Sequence, residues 1–141
     1  MKPLTENDFL LPEGFCPDGV LDIESPEFPE RIHRMEQAVG FNFACIKCVK
    51  RGLNQVIAEF AENGGKSAVH HQEDVAYPEA TDMELTPIFK KAMDGQALTQ
   101  SEIAAYKTGL LLHCAKQYAK HGIVMKAAFA DEKLKQALQQ V

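Results

Sequence analysis

The chain is short of cysteine, short of positive charge and short of long apolar runs, and each shortage excludes a class of protein. Four cysteines in 141 residues are too few for a small disulfide-stapled secreted domain, so reduced thiols are expected. Fifteen Lys and Arg stand against twenty Asp and Glu, a formal charge of −5. Affinity won by neutralising phosphates needs clustered basic residues, so a nucleic-acid partner is not expected. No apolar run approaches the ~20 residues of a membrane span. The start, MKPLTENDFLLPEG, lacks the basic opening and apolar stretch of a signal peptide. A soluble, cytoplasmic chain without a membrane partner is the expectation. No fixed-period repeat, low-complexity tract or long block of like charge is evident.

What is present is one core's worth of apolar residues. At 45% hydrophobic, residues 1–141 form a chain of ordinary single-domain length. Three apolar stretches read as short strands: residues 8–15 (DFLLPEGF), 66–71 (KSAVHH) and 123–129 (IVMKAAF). After the first comes the loop CPDGVLDIESPEFPE, whose prolines bias preceding residues away from helical geometry, so no helix is expected to run through it. A helix should begin near Pro29 and stop at Gly40. The next, with Asn42 as expected N-cap, repeats Ile46, Val49, Leu53, Val56, Ile57 and Phe60 at steps of three and four until Asn63-Gly64-Gly65. Gly52 inside it costs about 1 kcal/mol relative to Ala unless a neighbour packs closely there. Thr81 or Asp82 caps a third helix that stops at Gly95, although Pro87 allows the start to lie nearer Thr86. Thr99 and Glu102 form a capping box for a fourth, whose apolar face is Ile103, Tyr106, Leu110, Cys114 and Tyr118. A terminal helix should follow Asp131.

The resulting order, βααβααβα, predicts a predominantly helical α/β fold, because parallel strands need long crossovers that helices supply.

Several side chains invite a chemical reading. His70 and His71 beside Glu73 and Asp74 could bind a divalent cation, although a strand end entering a loop has the same composition. His113-Cys114 lies on or beside an apolar helix face and reads as packing. Lys126 could face a pocket or lie near a surface end. Cys45 and Cys48 make the only Cys-x-x-Cys. Placed about one turn into a helix, they read as two semi-apolar residues on its flank, outside the strand-to-helix junction of a thioredoxin-like dithiol and the tight turn of a zinc knuckle. A zinc site joining these cysteines to His70, His71, His113 or Cys114 is possible by residue type and would make this a small metal-binding protein.

From about Leu11 to Lys133 the sequence resembles the central part of uronate (glucuronate) isomerases. The resemblance rests on Leu11-Pro12, on Cys16-Pro17-Asp18 where that family has aromatic-Arg-Pro-Asp, on Ile23-Glu24 and Phe28, and on Phe60-Ala61, Gly64, Lys66 and His70. Its most specific stretch is GQALTQSEIAAYKTGLLLHCAKQYAKHGIV, similar to the family's Gly-x-x-Leu-Ser-x-x-Glu-x-x-x-Phe-Lys-Thr helix with its Tyr-Ala-x-x-Gly turn. Residues 1–11 are similar to the family's N-terminus.

The resemblance implies a partial (β/α)8 barrel of the amidohydrolase superfamily with about three short parallel strands. It also implies aldose–ketose isomerisation of uronates assisted by a divalent metal such as zinc. The family's His-x-His metal motif has no match in this chain, so no cofactor is expected. Cys16, Asp18 and His70 fall on the family's substrate pocket, with Cys16 in place of the arginine suited to a sugar-acid carboxylate. Val69 and Ala128 fall where the family has Asp and His. These departures make a chain that is non-catalytic on its own the expectation, an oligomeric or sugar-acid-binding relative. The alternative is an isomerase completed by a partner chain. Three strands cannot close a barrel, so a homo-oligomer, most simply a dimer, is expected.

Overall fold

The computed structural model describes residues 10–11, 14–70 and 80–127. The first expected strand is divided. β1 (Leu10–Leu11) pairs antiparallel with β2 (Gly14–Phe15), Leu11 lying opposite Gly14. Gly14 takes φ +140°, and a Cβ there would sit 2.5 Å from the Ser67 carbonyl oxygen, so only glycine permits both the backbone angle and the close approach of the next strand.

A single helical turn, α1 (Asp18–Leu21), forms inside the proline-rich loop. It fits because Pro17 precedes it at the cap and it ends before Pro26, although no longer helix could. α2 (Phe28–Val39) has Pro29 in its first turn and ends on Gly40 with φ 89°, as expected. α3 (Ile46–Glu62) starts later than predicted, with Cys45 rather than Asn42 as its N-cap residue. The Phe41 and Phe43 rings pack at a tilt, centroids 5.4 Å apart, and the Phe43 N–H donates to the Glu36 carboxylate at 2.6 Å, so packing against α2 holds this stretch out of the helix. Phe43 also explains Gly52: a Cβ there would lie 2.6 Å from the tip of the Phe43 ring.

β3 (Ser67–His70) follows, then α4 (Asp82–Met93), α5 (Gln100–His121) and β4 (Val124–Ala127). Thr81 caps α4 and Thr99 caps α5, each by a reciprocal capping box, with Glu84 and Glu102 respectively. The helix predicted from Asp131 lies outside the described residues, as do His71, Glu73, Asp74 and Ala128.

The sheet order is β1-β2-β3-β4. β2 pairs parallel with β3 through Phe15 and Ala68, and β3 with β4 from Ser67–Val124 to His70–Ala127. Three parallel strands joined by helical crossovers are a sector of a β/α barrel. One continuous core joins the strands and helices through Phe15, Ile32, Leu53, Ile57, Leu85 and Leu110, and each such fully buried side chain contributes about 1.5–3 kcal/mol.

α5 is buried well beyond its predicted apolar face: Leu110, Leu111 and Leu112 are buried in succession. A helix enclosed on several sides needs apolar residues around its circumference. Among the described residues no helix is long and apolar enough to cross a membrane.

Candidate functional site at the ends of the parallel strands

The C-terminal ends of barrel strands are where β/α folds build their sites. Cys16 directly follows β2, Asp18 opens α1, and His70 is the last residue of β3. His70, 52 residues beyond Asp18 in sequence, meets it in space. His70 Nδ1 lies 2.9 Å from Asp18 Oδ1 and His70 Nε2 lies 2.8 Å from the Tyr118 hydroxyl. A carboxylate only accepts, so Nδ1 carries a proton and donates to Asp18, while Nε2 hydrogen-bonds the Tyr118 hydroxyl. Burial, with the nearby Cys114 thiol second, holds the Tyr118 pKa well above that of an ordinary phenol, which keeps the proton where this arrangement needs it.

The His70 ring is fully buried, and strand alternation sets its direction. Ala68 belongs to the core shared with the helices, so His70, two residues on, faces the same side, toward Tyr118 of α5, while Val69 points away. Both ring nitrogens are engaged by protein groups. A substrate oxygen or metal reaching this histidine would have to displace Asp18 or Tyr118.

Cys16 is half-buried, and its pKa is raised to about 11, chiefly by burial. The Asp18 backbone N–H pulls it down and the Asp18 carboxylate pushes it up. At neutral pH it is a neutral thiol. Cys114 is fully buried, its pKa raised to about 12 by burial.

Tyr118 completes this cluster although its sequence position marked it only as part of an apolar face. The available signal was its place in the Tyr-Ala-x-x-Gly turn. The Tyr106-Lys107-Thr108 segment has an architectural explanation as well. The Tyr106 hydroxyl donates to the Val20 carbonyl at 2.8 Å, and the buried Lys107 ammonium pairs with Glu24. Together they pin the loop after β2 onto α5. His113 Nε2 lies 2.6 Å from Asn54 Oδ1, joining α5 to α3.

Among the described residues no group of three His, Cys, Asp or Glu side chains could hold a metal ion. The zinc site that residue types alone permitted is therefore not assembled there. The side chains at this site do not fit the divalent metal that the isomerase resemblance implies, since His70 already spends both nitrogens. Two surface depressions, one bordered by His33 and Phe41 and the other by Glu24 and Leu98, contain none of Cys16, Asp18 or His70.

A family model described as glucuronate isomerase matches residues 3–137. The chain belongs to the glucuronate isomerase family. Among its relatives, the uronate isomerase of Endomicrobium trichonymphae is 32% identical over 110 residues, covering 78% of this chain and 24% of that protein. The uronate isomerase of Geobacillus stearothermophilus is 34% identical over 114 residues, covering 80% and 24%. The chain thus spans about a quarter of the length of the curated relatives it matches.

Solved structures agree on the fold. The uronate isomerase of Thermotoga maritima superposes with TM-score 0.77 at 20% identity, over 82% of this chain and 26% of that one. The glucuronate isomerase of Caulobacter crescentus gives 0.70 at 21% identity, over 82% and 24%. The glucuronate isomerase fold therefore accounts for the parallel sector of sheet and its helices.

Proposed function

We propose that this chain is a uronate-isomerase-like protein with no isomerase activity of its own, acting as an oligomeric or sugar-acid-binding relative of the enzymes it resembles. The observation that carries this reading is the condition of the three pocket positions. Cys16 is a neutral thiol where the family pattern has a guanidinium, Asp18 is bonded to His70, and both His70 nitrogens are engaged on the helix side of the sheet. Moving a proton between neighbouring sugar carbons requires a base positioned to take it. Here the histidine is committed to holding β3, α1 and α5 together. Cys16 and Asp18 offer a sugar-acid carboxylate no positive charge, so binding at these positions should be weaker than at a pocket that keeps the arginine.

The test is a glucuronate-to-fructuronate assay on the purified chain with added divalent metal. We expect the background rate; metal-dependent turnover above it would overturn the proposal.

A second reading, an isomerase completed by a partner chain, is favoured by the sheet edge. β4 is the last strand in the order, and Val124 on it is 63% exposed. Among the described residues no strand pairs with its outer edge, and such an edge is a template for another strand. Association is common to both readings, and a symmetric homodimer is its simplest form. Light scattering should give twice the chain mass; a monomeric mass at every concentration would remove the oligomer. The compartment we propose is the cytoplasm, where the four free thiols stay reduced.

A further inference from the structure

The Cys-x-x-Cys takes on a different meaning once the start of α3 is located. Cys45 is not one turn into the helix: it is the N-cap residue, with extended backbone at φ −157° and ψ 172°, and Cys48 is the third helical residue. N-cap and third-residue side chains face each other across the first turn. The same geometry joins Thr81 to Glu84 and Thr99 to Glu102 at the next two helix starts. At α3 it brings two thiols together, Sγ to Sγ 3.6 Å. A disulfide needs about 2.05 Å, a closure of about 1.6 Å that side-chain rotation can supply.

The surroundings favour a reactive sulfur. α3 is a 17-residue helix with no acidic residue in its first turn, so the positive end of its dipole acts on Cys45. The helix start is held in place by the Ile46 N–H, which donates to Thr86 Oγ1 of α4 at 3.2 Å. Both cysteines are half-buried and so open to small reagents. The Cys45 sulfur faces the Cys48 backbone N–H in a contact looser than a formed cap hydrogen bond; that N–H, then the Cys48 thiol, then Lys47 lower its pKa. Cys16 and Cys114 are pushed the other way, up to about 11 and about 12. No third ligand accompanies the pair among the described residues, which suits disulfide chemistry better than a metal.

We propose that Cys45 and Cys48 form a redox-active dithiol that exchanges with small-molecule disulfides, with Cys45 attacking and Cys48 resolving. In the first step the Cys45 thiolate attacks one sulfur of the disulfide, the S–S bond breaks, and one small thiolate leaves and takes up a proton. In the second, Cys48 loses its proton and attacks the Cys45 sulfur of the mixed disulfide, expelling the second small thiol. Two protein thiols are oxidised to one disulfide while the small disulfide is reduced to two thiols. This site is independent of the Cys16–Asp18–His70 cluster and of the proposal made for it.

The experiment uses the reduced full chain. Alkylation at neutral pH, followed by peptide mapping, should label Cys45 at least about tenfold faster than Cys16, because Cys16, raised about two pH units above an ordinary thiol while Cys45 is lowered, loses more in thiolate than it regains in nucleophilicity. Incubation with oxidised glutathione should then link Cys45 to Cys48 and leave Cys16 and Cys114 open to alkylation after unfolding. Cys48→Ser should stop with one glutathione on Cys45, and Cys45→Ser should take up at least tenfold less. Circular dichroism checks that both variants fold, and mapping of the unmutated chain decides the matter if they do not. Equal labelling of Cys45 and Cys16, glutathione lodging first on Cys48 or Cys16, or no Cys45–Cys48 link would each overturn the proposal.

Discussion

Replacing Tyr118 by Phe removes one oxygen atom and tests the cluster at the strand ends. The phenyl ring keeps its place: Phe15 lies edge-on at 6.2 Å, and the volume change is too small to open a cavity. What is lost is the 2.8 Å bond to His70 Nε2. Because His70 is fully buried, water cannot replace the hydroxyl, and an orphaned buried polar group costs about 1–3 kcal/mol. A domain of this length loses roughly 4 °C of Tm per kcal/mol, so the variant should melt about 4–12 °C lower. In urea the midpoint should fall with an unchanged slope, since the surface exposed on unfolding is the same. Nitrogen NMR of the imidazole should find the proton on Nδ1 in the unmutated chain. A variant within about 0.5 kcal/mol of the parent, the range of an ordinary surface change, would refute the claim that Tyr118 satisfies a buried His70.

Other substitutions probe other links. Gly52→Ala gains about 1 kcal/mol of helix propensity but places a methyl 2.6 Å from Phe43 Cζ and 3.0 Å from Met35 Cε; overpacking of about 1–3 kcal/mol should win. Thermal melts should therefore show net destabilisation, and a stabilised variant would contradict the packing. His113 has its pKa lowered below 6.5, chiefly by burial and then by Lys50. A depressed folded-state pKa means that the unfolded chain binds the proton more readily, so this contribution is complete above about pH 6.5 and declines as pH falls through the folded value. Urea midpoints of the parent should therefore fall relative to those of His113→Gln as pH drops below about 6.5, and parallel profiles would argue against a buried neutral imidazole. Glu102, held down first by Lys91 and then by the Thr99 N–H, has the same sign at lower pH: its support for the start of α5 is lost on acidification. Glu102→Gln should flatten that acid limb.

The segment most specific to the isomerase family proves architectural at the residues that can be followed. Tyr106 and Lys107 fasten the loop between β2 and α2 to the central helix. Family likeness along this stretch therefore reports how the sector is held together, which explains how the sector can keep its fold while its pocket positions change their chemistry.

Local rules were enough to place much of this chain. The stop at Gly40, with positive φ, the cap at Thr81 and the capping box at Thr99 depend on neighbours within four residues. So does the three-and-four spacing of α3, and such features can be read from the residues alone. Tertiary contacts decided the rest. Phe43 and Glu36, joined across seven residues, kept Asn42 out of the cap and moved Cys45 into it, turning a helix-flank pair into two facing sulfurs. The direction of His70 depended on pairing across the sheet, and its partners lie 52 and 48 residues away in sequence. No local pattern encodes which buried donor meets which acceptor, because that choice is made only when strands and helices close around a common core.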